Sequence, residues 1–177
     1  MKDARRTGGA KCETVNYARF LRRNRRLPMA VPYPFIVGKA KITVRAQMPR
    51  IYEALLNPQD LAVWWGPDAF VDPQLDGRYE TNPPEGRQEG VIIGLDAPRR
   101  IAFTWPMAIG DASVDTSVSY ELFPKGPETD VVVIHRARTQ LPHDYNATWK
   151  RALDALRAHI ESGESAAPET GSDQSVE

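Results

Sequence analysis

From Phe70 to Ala137 a series of turn signals cuts the chain into short segments that alternate apolar with polar residues. The signals are Asp76-Gly77, Pro83-Pro84-Glu85-Gly86, Ala97-Pro98, Ile109-Gly110-Asp111 and Pro124-Lys125-Gly126-Pro127. This spacing predicts an antiparallel meander, and it constrains the fold more than any other feature. Parity puts Ile101, Phe103 and Trp105 on one face against Ala102 and Thr104. It does the same for Val118, Tyr120 and Leu122 against Ser117, Ser119 and Glu121, and for Val131, Val133 and His135 against Val132, Ile134 and Arg136. One face of the sheet is therefore strongly apolar. A final helix is expected from about Asp144, as N-cap, to about Ile160, because Tyr145, Trp149, Leu153, Leu156 and Ile160 recur at helical spacing. At 1.5 Å per residue it is about 25 Å long, enough to lie across a curved sheet of several strands.

Ahead of the meander, Ile42, Val44 and Ala46 alternate with polar residues, which predicts a half-buried strand from Lys39. Pro49 then opens a short helix with Ile51, Ala54 and Leu55 on one side. Asn57 and Pro58 end it and cap a second, which carries Leu61, Ala62, Trp64 and Trp65 until Gly66-Pro67 stops it. Adjacent on a helix, Trp64 and Trp65 are expected to diverge, leaving one of them at a rim or a partner surface. No internal repeat is present.

The chain has 177 residues, 41% hydrophobic and 26% charged, which suits one ordinary core. Its zero net charge is uneven: residues 1 to 30 carry nine bases and two acids, and residues 161 to 177 carry five acids and no base. The expected organisation is a basic, poorly ordered extension over 1–38, a domain over 39–161 and an acidic, disordered tail over 162–177. The extension reads as a transit peptide, as a segment for an acidic partner, or as a solvated stretch ahead of a true start at Met29, and the last reading is favoured. The remaining 14 bases and 16 acids form no nucleic-acid footprint. No apolar run approaches the roughly 18 residues that span a bilayer, so no membrane insertion and a cytoplasmic location are expected. With Cys12 as the one cysteine and only three histidines, neither a disulfide framework nor a cysteine-rich zinc site can be assembled. Nucleophile-elbow, phosphate-loop, dinucleotide and zinc-protease motifs are absent.

The order strand, two short helices, five or six strands, long helix resembles the START-related superfamily. Within it, the chain is most similar to the family named after the activator of the heat-shock protein 90 ATPase. The segments that carry the likeness are PRIYEALL (Pro49 to Leu56), NPQDLAVWWGP (Asn57 to Pro67), DGRY (Asp76 to Tyr79), DAPRRIAFTW (Asp96 to Trp105), the Val131 to His135 strand and Trp149. Together they span about residues 40 to 161.

The resemblance implies an α+β helix-grip fold, with the sheet wrapped around the C-terminal helix and a cavity between them. Large side chains meet at the open end of such a sheet. The candidate ligand-binding residues are Trp64, Trp65, Tyr79, Phe103, Trp105, Tyr120, His135 and Trp149. The expected function is binding of a small, largely hydrophobic ligand without cofactor or metal. The alternative is a cofactor-free enzyme of polyketide cyclase or hydrolase type using Tyr120 or His135, although a histidine satisfied by a neighbouring hydroxyl is the favoured reading of His135. A chaperone-interacting role ranks lowest, because the eukaryotic activator carries a separate domain ahead of its matching one and the 38 or so residues here are too few and too basic to replace it. Pairing into a homodimer through sheet edges or an exposed tryptophan is left open.

Overall fold

The computed structural model describes residues 33–110 and 112–164. The expected extension as far as residue 32 and the tail from residue 165 lie outside the described residues. The elements run β1 (Phe35–Val44), α1 (Met48–Ala54), α2 (Pro58–Trp64), β2 (Phe70–Val71), β3 (Arg78–Thr81), β4 (Gln88–Asp96) and β5 (Arg100–Thr104). They continue through β6 (Met107–Ile109), β7 (Ala112–Val114), β8 (Thr116–Lys125) and β9 (Glu128–Ala137) to α3 (Asn146–Glu164). Seven strands form one antiparallel sheet in the order β1-β9-β8-β5-β4-β3-β2, and β6 and β7 form a separate hairpin between β5 and β8. Eight strands follow α2 instead of five or six. The additional ones are β2, of two residues, and the hairpin arms, of three each, too short to show an alternation of their own.

Register explains the concave face. Val118 pairs with His135, Tyr120 with Val133 and Leu122 with Val131, while Ile101 and Phe103 of β5 lie opposite Tyr120 and Val118. All of these are buried, as are Trp149, Ala152, Leu153, Leu156 and Ile160 of α3. The helix stripe thus covers the apolar sheet face, each large side chain contributing about 2 kcal/mol on burial. This is the helix-grip arrangement.

Three boundaries differ from the sequence reading. β1 opens at Phe35 rather than Lys39, because Phe35 and Ile36 pair with Ala137 and Arg136, and an irregularity between Ile36 and Gly38 resets the register. Tyr33 is also buried, with the Arg138 guanidinium 5.5 Å from its ring centroid, so residues 33–38 belong to the domain rather than the extension. α3 begins at Asn146, whose N–H donates to the Asp144 carboxylate at 3.1 Å, and runs past Ile160 to Glu164. Its last turn is held by Glu161, which accepts from the Arg45 backbone at 3.0 Å and its guanidinium at 3.2 Å.

α3 also occupies the outer edge of β1. The Tyr145 N–H donates to Val37 O at 2.8 Å, and the Lys39 N–H donates to Asn146 Oδ1 at 2.8 Å. With Glu161 on Arg45 at the other end, both ends of this edge strand have helix partners, which blunts pairing with a second sheet. A charged clamp joins the three helices. Arg50 of α1 reaches both Asp60 oxygens of α2 at 3.1 and 2.9 Å, and His159 of α3 lies 2.5 Å from Asp60 Oδ1. The Arg50 hydrogen bonds hold the Asp60 carboxyl below its usual range. Among the described residues no helix is long and apolar enough to cross a membrane.

Candidate functional site

A cavity of about 450 Å³ opens where the first turn of α3 meets the end of β5, the β6–β7 hairpin and the β3–β4 loop. Its floor is three indoles. Trp65 stacks on Trp149 at 5.5 Å between centroids and 16° between planes, and Trp105 lies 6.0 Å from Trp65 and 5.7 Å from Trp149. Each is delivered by a different element: the C-cap of α2, the residue after β5, and the first turn of α3.

Two glycines make these placements possible. A Cβ on Gly38 of β1 would sit 2.7 Å from Trp149 Cδ1, so only glycine lets the indole lie against that strand. Gly66 has φ +157 and backs onto the Asn82 carbonyl, where a Cβ would be 2.1 Å from the oxygen, so the chain can leave α2 immediately after Trp65.

Neither tryptophan is left at a rim or partner surface, the place expected for one of them: Trp64 is 6% and Trp65 8% exposed, and both are buried. Trp64 packs beneath α1 and donates to Ala54 O at 3.1 Å, whereas Trp65 turns into the cavity and donates to Thr81 Oγ1 at 3.2 Å. Neither is left to serve as an exposed dimer contact.

Behind the floor runs a directed hydrogen-bond chain. Trp149 Nε1–H donates to His135 Nδ1 at 3.2 Å, which makes Nδ1 the acceptor and leaves the ring proton on Nε2, 2.8 Å from Thr116 Oγ1. The Thr116 hydroxyl in turn donates to the Trp105 carbonyl. His135 is 1% exposed, and burial pushes its pKa down to about 4, so the imidazole is neutral with both nitrogens occupied. It is a satisfied wall residue, and its lone pair is engaged by the Trp149 indole.

Of the expected site residues, Trp65, Trp105, His135 and Trp149 border the cavity. Trp64, Tyr79, Phe103 and Tyr120 do not. They fill the adjoining core, where the Tyr79 and Phe103 rings stack at 4.0 Å and Phe103 lies 6.2 Å from Tyr120. Tyr79 donates to Leu55 O at 3.0 Å, and burial raises the hydroxyl pKa of both tyrosines above the usual range. Phe103 and Tyr120 are on the inner face, as parity says, and all four residues are buried outside the cavity lining.

Sequence reasoning missed Gln88, Met107, Tyr145 and Thr148 as cavity residues. Tyr145 was visible as part of the helix stripe, whereas Met107 stands on a hairpin arm too short to read. The rim is charged. Arg151 of α3 pairs with Glu85 of the β3–β4 loop across the mouth. Arg87 bonds the buried Glu80 at 2.9 Å and Glu89 at 2.8 Å. A second groove of about 870 Å³, bordered by Pro49, Tyr52, Leu56 and Pro98, is a shallow surface depression that none of the expected site residues touches.

Comparison with known proteins agrees with this geometry. A model of the family described as Activator of Hsp90 ATPase homolog 1-like protein matches residues 45–161. The solution structure of the Aha1 dimer from Colwellia psychrerythraea superposes with a TM-score of 0.62 at 18% identity, over 72% of this chain and 97% of that one. CalU16 from Micromonospora echinospora gives 0.58 at 20% identity, over 72% of this chain and 77% of that one. DynU16, from the dynemicin biosynthetic locus, gives 0.62 at 16% identity, over 73% of this chain and 49% of that one. At these identities the likeness is one of fold. No curated protein matches the sequence.

Proposed function

The chain belongs to the Activator of Hsp90 ATPase homolog 1-like family, and from that premise we propose that it is a binding module for a small, largely hydrophobic molecule held between the sheet and α3. The observation that carries the reading is the floor of three indoles, mutually packed within 6.0 Å, under a cavity of about 450 Å³. That volume lies in the range of small-molecule sites, and an aromatic floor with few polar groups is their usual composition. The shared fold with a protein of a natural-product biosynthetic locus supports a small organic ligand over a macromolecule. Catalysis by His135 or Tyr120 has less support, since both His135 nitrogens are engaged and Tyr120 lies off the cavity.

Nile red, a neutral planar dye, is expected to bind the full chain saturably at one site. Met107→Trp, which fills the cavity from its half-buried hairpin wall, should abolish that binding and leave thermal unfolding unchanged. Equal binding by wild type and variant would contradict the assignment.

A further inference from the structure

Three of the four indoles spend their N–H inside the protein: Trp64 on Ala54 O, Trp65 on Thr81 Oγ1 and Trp149 on His135 Nδ1. Trp105 does not. Among the described residues its Nε1 has no acceptor, although the residue is only 6% exposed. No enclosed side-chain nitrogen or oxygen of the described residues lacks a partner, so the Trp105 N–H is not sealed away. It keeps some accessible surface, and Trp105 is one of the residues that border the cavity. Open to solvent, the N–H is left unpaired only when an apolar molecule covers it, so this donor is poised for an acceptor that arrives with whatever fills the cavity.

The donor is also held in place. The Trp105 N–H of the main chain donates to Thr116 O at 2.8 Å, its carbonyl accepts from the Thr116 hydroxyl, and its ring is wedged among Trp65, Phe103 and Trp149. A donor fixed on both sides of its own peptide discriminates by geometry, which a mobile surface amide does not.

The surroundings decide which acceptor fits. Arg87 is the one arginine or lysine among the described residues bordering the cavity, and it is already bound to Glu80 and Glu89. Arg151, at the mouth, is paired with Glu85. Among the described residues, a carboxylate brought to the indole floor would meet a neutral donor and no uncommitted cation, so its desolvation would outweigh the bond it forms. A neutral carbonyl oxygen carries no such cost.

We propose that the Trp105 indole N–H is the specificity-determining donor of this cavity, and that the cavity takes a flat, largely apolar molecule bearing a neutral carbonyl group. This rests on the ligand-binding reading above and adds the polar feature of the ligand.

The test compares 2-acetylnaphthalene, 2-ethylnaphthalene and 2-naphthoate by calorimetry on the full chain and on Trp105→Phe, which keeps a ring and removes the N–H. Trp105→Phe should weaken the ketone about fivefold to tenfold and the hydrocarbon less than twofold, the difference a neutral hydrogen bond makes. In the wild type the naphthoate should bind more weakly than the ketone. The second measurement needs only wild-type protein: the ketone should shift the Trp105 indole N–H resonance downfield, and the Trp64, Trp65 and Trp149 indole resonances much less. Before ligand is added, the Trp105 indole proton should exchange with deuterium fastest of the four. Equal losses for ketone and hydrocarbon, tighter binding of the naphthoate, or an unmoved Trp105 resonance with bound ketone would overturn the donor assignment while leaving the cavity. Failure of all three probes to bind would overturn the ligand-binding reading, and this proposal with it.

Discussion

His135 shows how little freedom a buried polar side chain has in this wall. Its Nδ1 faces an indole N–H, so protonation would set two donors against each other, and burial already disfavours the charge. The folded pKa of about 4 lies below the ordinary histidine value of about 6.5, so the unfolded chain binds the proton first as pH falls. The His135 contribution to stability is therefore complete above about pH 6.5 and is lost progressively toward pH 4, by up to roughly 3 kcal/mol. Denaturant midpoints measured at pH 7 and pH 5 should fall for the wild type and fall less for His135→Gln. Identical slopes would remove His135 as the cause. That a hydroxyl would satisfy this histidine was legible, because a lone histidine on an apolar strand face needs a partner. Which hydroxyl was not legible: Thr116 is 19 residues away and meets His135 through the register of β8 and β9. The adjacent tryptophans were misread for a related reason. Helical geometry separates neighbours only while the helix continues, and it stops at Trp64.

At the scale of elements, capping chemistry carried most of the information. Pro49 and Asn57-Pro58 placed the starts of both short helices to within a residue, although α1 ends at Ala54, ahead of Asn57, and Asn57 caps α2 by accepting from Gln59 N at 2.8 Å. The longer strands were legible from alternation. The β6–β7 hairpin was not, since Gly110 marks a turn but three-residue arms show no period. That hairpin supplies Met107 and Ala108 to the cavity, so one part of the site missed is built on the shortest elements. How closely α3 approaches β1 was equally hidden, being fixed at Gly38 by contact with Trp149. Gly38→Ala should therefore force the indole off the strand, lower stability by about 1 to 3 kcal/mol and weaken Nile red binding. Unchanged stability together with unchanged dye affinity would show that the contact does not position Trp149.

At the scale of the molecule, the antiparallel sheet and the single long helix form one grip, and its core and its cavity are continuous. Below the indole floor, Tyr79, Phe103 and Tyr120 complete the packing, and above it the space is left to the hairpin, the β3–β4 loop and solvent. The aromatic inner face was legible in the sequence as a set. The depth at which core gives way to cavity was not, because it depends on the standoff between α3 and the sheet. The indole-floored cavity and the shallow groove beside Pro49, Tyr52, Leu56 and Pro98 differ in character. The most direct measurement is the set of intermolecular nuclear Overhauser effects between 2-acetylnaphthalene and the full chain. The account predicts contacts from the ligand ring to the Trp65, Trp105 and Trp149 indoles and the Met107 methyl group. Contacts confined to Pro49, Tyr52, Leu56 and Pro98 would contradict it.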